Sequence, residues 1–121
     1  AHLAKIFESA IGRWTDGDFH HEYDESWPDF KNRVETALQN LCDELAKTKP
    51  RYAVVFTSGG VISVAAGKLL ELNANRTFAL NWAICNASIT TLRLVGNEPQ
   101  LLSLNDHHLI KAEDPQLLTW I

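Results

Sequence analysis

The residues best suited to chemistry lie in one four-residue turn, Thr57-Ser58-Gly59-Gly60, between a short apolar run and a longer apolar stretch. A turn that leads from a strand into a helix presents unpaired backbone N–H groups and the positive end of the helix dipole, so it favours an anion such as phosphate. Glycines let a ligand approach the main chain with no Cβ in the way, and the hydroxyls of Thr57 and Ser58 offer further donors. The plainer alternative is that the glycines only tighten the turn.

Ser58 also admits a rival reading as a serine hydrolase nucleophile, because Asp106 and His107 or His108 follow it in the order of a serine–acid–histidine triad. Phe56 stands where the strained nucleophile turn carries glycine, which leaves only Gly60 in register. The adjacent pairs His20-His21 and His107-His108 lack the three- or four-residue spacing of helical metal ligands, so structural roles are expected for them and no metal site. Glu22, Asp24 and Glu25 fall in an acidic stretch that reads as a solvated loop. Trp14, Trp27, Trp82 and Trp120 read as packing residues, since no basic groove accompanies them.

Several elements must position the turn. Leu3, Ile6, Phe7, Ala10, Ile11 and Trp14 recur at three- and four-residue intervals and predict a helix that Thr15 to Gly17 ends. Residues 16–25 show no period and predict an exposed loop. Ser26 is placed to cap a second helix with Pro28 in its first turn, and Phe30, Val34, Leu38, Leu41 and Leu45 form its apolar stripe up to Pro50. Arg33, Lys31 and Glu35 lie on its solvated face. The run Tyr52-Ala53-Val54-Val55-Phe56 is apolar on both faces, as in a central strand of a parallel sheet, and Val61 to Leu72 follows as a buried helix. Ser88 to Val95 and Gln100 to Asn105, joined by Gly96-Asn97-Glu98-Pro99, predict a hairpin. The tail, with Leu117, Leu118, Trp120 and Ile121, is expected to dock on the body of the fold.

One central strand and one hairpin fall short of the about five or six strands of a doubly wound sheet. Neighbours for the central strand are therefore expected from a preceding segment or from another chain. The absence of Met and the helical pattern opening at Ala1 give the same expectation.

The 121 residues are 45% hydrophobic and 21% charged with a net charge of −4, which bounds the chain to a single domain, residues 1–121, of ordinary globular composition. Lys and Arg form no stripe, so neither nucleic acid nor an anionic membrane is an expected partner. No apolar run reaches the roughly 20 residues that span a bilayer, and a cytoplasmic location is expected. Cys42 and Cys85 each sit in an apolar pattern and are expected to be reduced, structural thiols.

Four segments in order carry a family resemblance: Glu25-Ser26 with Asp29-Phe30 and Arg33-Val34; Val54 through Ile62; Asn86-Ala87-Ser88-Ile89-Thr90; and Leu104 through Leu109. Together they resemble the C-terminal half of the histidine phosphatase superfamily, the phosphoglycerate mutase-like proteins. The resemblance implies an α/β fold, here a partial three-layer α/β/α domain with one central parallel strand, a C-terminal hairpin and helices on both faces. It also implies a phosphate pocket formed by Thr57, Ser58, Gly59, Gly60 and Asn86, with no cofactor.

The family's Arg-His-Gly nucleophile motif occurs nowhere in the chain, its acidic proton donor has no counterpart, and its second catalytic histidine aligns with Ser58. A serine hydroxyl donates a hydrogen bond but brings no charge, and losing one preorganised donor typically costs about 2.7–4 kcal/mol of transition-state stabilisation. The implied protein acts on or binds a phosphate monoester, carried by a phosphorylated small molecule or a phosphoprotein, and is catalytically incomplete as given. The alternative is a non-catalytic binding or interaction module of the same fold. A homodimer or a missing N-terminal half is the expected partner of the unpaired strand.

Overall fold

The longest helix begins where the sequence places its cap. In the computed structural model, which describes residues 2–120, the Ser26 hydroxyl accepts the Asp29 N–H at 3.3 Å and donates to the Asp29 carboxylate at 2.8 Å. This satisfies one of the donors a helix start leaves open and places an acid at its positive end. With Pro28 in the first turn, helix α2 runs over Trp27–Thr48 and ends at Lys49, which takes a left-handed φ of 49°. Helix α1 spans His2–Thr15, and a 3-10 turn over Gly17–Glu22, capped by Asp16, replaces part of the expected loop. Ala1 and Ile121, the expected helix opening and the last apolar residue of the tail, lie outside the described residues.

Helix α3, Gly59–Leu69, follows the serine–glycine turn as expected, and helix α4, Ala74–Ala83, packs beside it. No hydrophobic period announces α4, because its inward face carries Thr77 and Asn81, both buried. Against Thr77 lies Gly67, where an added Cβ would come within 2.6 Å of the threonine Oγ1. Glycine is thus required by the close approach of the two helices.

Around the start of α2 an aromatic cluster joins four helices. Trp27, Val34 and Val64 are its buried centre, with Trp14, Phe30, Val61 and Phe78 packed against them. Trp27 and Phe78 ring centres lie 4.8 Å apart and Trp14 meets Trp27 edge-on at 5.6 Å, in the range where such pairs add about 0.5–1.5 kcal/mol beyond area burial. The Trp14 indole N–H donates to the Glu25 carbonyl at 2.9 Å.

The predicted hairpin forms. Strands β1, Ile89–Val95, and β2, Glu98–Asp106, pair antiparallel with Val95 opposite Glu98. Gly96 takes the positive φ of 64° that the two-residue connection needs. Its tip is tied to α2 by Asn97, whose amide donates to Asp43 at 2.9 Å. Helix α5, His108–Glu113, and a 3-10 turn over Pro115–Leu117 complete the chain. Cys42 and Cys85 are buried free thiols.

The fold is mixed α/β, and among the described residues its one sheet is this two-stranded antiparallel hairpin. The expected central parallel strand differs from expectation. Tyr52, Val54, Val55 and Phe56 are 79%, 68%, 58% and 95% exposed, and the segment joins no ladder. Its residues suit an internal strand, but a strand is defined by its neighbours' hydrogen bonds, and none of the described residues supplies them.

Gly67→Ala tests the α3–α4 contact. Overpacking is expected to lower unfolding stability by about 1–3 kcal/mol, outweighing the roughly 1 kcal/mol that alanine gains in a helix. Thr77→Ala in the same chain should recover most of that loss in urea denaturation, whereas a fully stable single variant would contradict the packing described.

Candidate functional site

The turn at the start of α3 carries the candidate site. Ser58 is the N-cap residue in extended conformation, and its hydroxyl makes no capping bond. The first backbone bond of the helix runs from Ile62 N–H to the Ser58 carbonyl at 3.1 Å, so the N–H groups of Gly59, Gly60 and Val61 precede any intrahelical acceptor. Thr57 and Ser58 are exposed, and Gly59 and Gly60 are half-buried. A Cβ built on Gly60 meets nothing within 4 Å. Packing therefore does not account for glycine at position 60, in contrast to position 67. Val61, in the first turn, packs on the aromatic cluster and so fixes the direction of the helix start.

Asn86 stands elsewhere in the hydrogen-bond network. Its backbone N–H donates to the Thr119 carbonyl at 2.9 Å and its side-chain amide donates to the Thr119 hydroxyl at 3.1 Å. Trp120 adds an indole N–H to the Ala83 carbonyl at 3.3 Å. The tail is thus docked as expected, yet through polar contacts: Leu117 and Trp120 remain 59% and 47% exposed.

A residue given no role in the sequence analysis holds this region together. Asn105, at a left-handed φ of 59°, accepts the Cys85 N–H at 2.7 Å and donates its amide to the Ala83 carbonyl at 2.6 Å. Its own N–H donates to the Thr90 hydroxyl at 3.2 Å. One side chain thereby joins the end of α4, the turn at residues 83–88 and the end of β2. Its signal in the sequence is only the Asn-Asp pair at a strand end, a pair that favours turns and left-handed φ.

The pieces of the serine triad reading are partly assembled. His108 Nδ1 lies 2.5 Å from Asp106 Oδ1, and His107 Nδ1 donates to the Asn105 carbonyl at 2.6 Å. Neither histidine hydrogen-bonds Ser58 among the described residues. His20 and His21 lie in the first 3-10 turn, and no three His, Cys, Asp or Glu side chains gather in a metal-binding arrangement among the described residues.

Arg33, expected to be a solvated surface residue, forms a two-pronged ion pair with Glu25, Nε to Oε1 at 2.6 Å and Nη2 to Oε2 at 3.0 Å. The guanidinium holds the Glu25 carboxyl below the usual carboxylate range. Asp43 is held low by the Asn97 and Gln39 amides, and Asp106 by its hydrogen bond from His108.

Two outcomes follow from this geometry. Asn105→Ala is expected to cost about 2–4 kcal/mol, from two lost side-chain bonds and a left-handed residue without its polar group. Asn105→Gly should recover the backbone part, and equal losses in thermal or urea denaturation would contradict the role of the left-handed φ. The depressed carboxyls of Glu25, Asp43 and Asp106 contribute stability that is complete above the unfolded carboxylate pKa of about 4 and is lost as the pH falls below it. A urea midpoint that stays flat from pH 7 to pH 3 would contradict those pairings.

The model of the histidine phosphatase superfamily, branch 1, matches residues 1–107. No curated protein and no solved structure matches the chain.

Proposed function

The chain belongs to the histidine phosphatase superfamily, and on that premise we propose that it binds the phosphate group of a phosphate monoester at the start of α3 without turning it over by itself. The observation that carries the reading is the set of free donors there: the N–H groups of Gly59, Gly60 and Val61 at the positive helix end, beside a Ser58 hydroxyl not engaged in capping. The open space over Gly60 supports it further. A phosphoryl group is the anion whose several oxygens can use such a fan of donors at once.

The chemistry stops at binding for two reasons. The family's Arg-His-Gly nucleophile motif does not occur in these 121 residues, and on the resemblance Ser58 aligns with the second histidine, a donor without the charge that a transferring phosphoryl group requires. The ligand is accordingly a phosphorylated small molecule or a phosphoprotein held by its phosphate. Asn86 enters this reading through the family resemblance, with one of its two amide N–H groups serving Thr119 and the other left for a ligand.

Phosphate or vanadate titration followed by amide NMR tests the reading. Saturable shifts should centre on Ser58, Gly59, Gly60 and Val61, with no release of phosphate from p-nitrophenyl phosphate. Gly60→Ala should weaken binding several-fold while leaving the fold as stable or more so. Ser58→His should tighten binding below about pH 6, where an unperturbed imidazole is charged, and lose that gain as the pH rises past about 7. Stoichiometric phosphohistidine on the unaltered chain, or shifts confined to other residues, would overturn the proposal.

A further inference from the structure

Ser63 lies in the second turn of α3 and is 1% exposed, with Val64, Ala66 and Gly67 buried beside it in the same helix. Its hydroxyl donates to the Gly59 carbonyl at 2.8 Å. A buried serine in a helix must bond something, and the carbonyl one turn back is the nearest acceptor. That accounts for the bond but not for the serine. Packing at this position asks only for a small side chain, and alanine would meet the demand with no polar group to satisfy and a better helix propensity. What serine adds is a donor aimed at Gly59.

The Gly59 carbonyl and the Gly60 N–H belong to one planar peptide unit, so whatever fixes the oxygen fixes the direction of the N–H. With a glycine on either side, this unit is the one in the turn least restrained by its own side chains. The helical ladder already sends the Ser63 N–H to the same oxygen, so the hydroxyl is a second bond to it from one residue. Two bonds hold the unit against rotation, and by polarising the peptide they strengthen its N–H as a donor, by about 10–30% in chains of hydrogen bonds. The space over Gly60 is open, since a Cβ there meets nothing within 4 Å. From this geometry we infer that Ser63 is a positioning residue of the anion site: it does not touch the ligand, and it acts through the Gly59–Gly60 peptide to aim and strengthen the Gly60 N–H. The inference rests on the reading of this turn as a phosphate site.

The two neighbouring donors have no such support. The Gly59 N–H shares its peptide with the Ser58 carbonyl, which accepts the Ile62 N–H at 3.1 Å, and the Ile62 side chain has no donor to add. The Val61 N–H shares its peptide with the Gly60 carbonyl, one turn before Val64, whose side chain is equally without a donor. Loss of the Ser63 hydroxyl therefore acts on one donor of the three, and its effect centres on Gly60.

The test uses the whole chain, with inorganic phosphate as the probe and the amide NMR shifts of residues 58–61 as the readout. Before any phosphate is added, Ser63→Ala should move the Gly60 amide nitrogen upfield and leave those of Gly59 and Val61 nearly in place, with the urea midpoint unchanged or higher. Its phosphate affinity should fall about threefold to tenfold, the range of one weakened hydrogen bond. Ser63→Cys, close in volume but a weak donor, should fall between the two. An unmoved Gly60 amide in Ser63→Ala would overturn the inference, as would affinities that fall only in step with the urea midpoint. Equal phosphate affinity in Ser63→Ala and the unaltered chain would overturn it too, while leaving the phosphate reading intact. No saturable shift in the unaltered chain would remove both.

Discussion

The packing of Trp27 against Trp14, Phe30 and Phe78 is the contact on which the remaining geometry depends. It gathers α1, α2 and α4 at one point, and through Val61 and Val64 it also takes hold of α3 in its first two turns. A helix start aims its free N–H groups along its axis, so whatever fixes the axis aims the donors. The aromatic cluster therefore does for the serine–glycine turn what the turn's own residues cannot. Glycine and serine bring freedom and donors, and the rings of distant helices bring direction.

Much of this was legible in the sequence where local chemistry decides local structure. Ser26 with Pro28 behind it is a short-range instruction that is followed, and the Gly96-Asn97-Glu98-Pro99 connection makes its hairpin with Glu98 and Pro99 drawn into the second strand. Helix α4 was not legible, because burial there is polar. Thr77 and Asn81 face inward, so the apolar period on which a helix is usually recognised is erased, and Gly67 across the contact looks like an ordinary helix glycine until Thr77 is placed against it. Asn105 and Thr119 carry no local signal for a different reason: their partners lie 20 and 33 residues away, and no spacing rule links them.

The segment 52–56 is the instructive difference between pattern and structure. Its composition is that of an internal strand, whereas its observed state is an extended, solvated stretch. The two are compatible, because the pattern records the environment for which the residues are suited and hydrogen bonds record the neighbours at hand. Candidate-site legibility divides along the same line. The Thr57-Ser58-Gly59-Gly60 turn was readable because its donors are local to it, while Asn86 was placed by family likeness, and its amide is in fact engaged by the tail.

The exposed segment and the candidate site are consecutive in the chain, and this joins their energetics. Val61 is held on one side by the aromatic cluster, while Thr57 and Ser58 follow an extended, solvent-exposed segment that joins no ladder. A donor on an unordered backbone loses conformational freedom when it binds, about 1–2 kcal/mol for each residue fixed, and that cost is deducted from affinity. On the proposed reading of the site, whatever pairs with the extended segment lowers that cost in advance, and by linkage a phosphate held at Ser58 favours the paired segment by the same free energy.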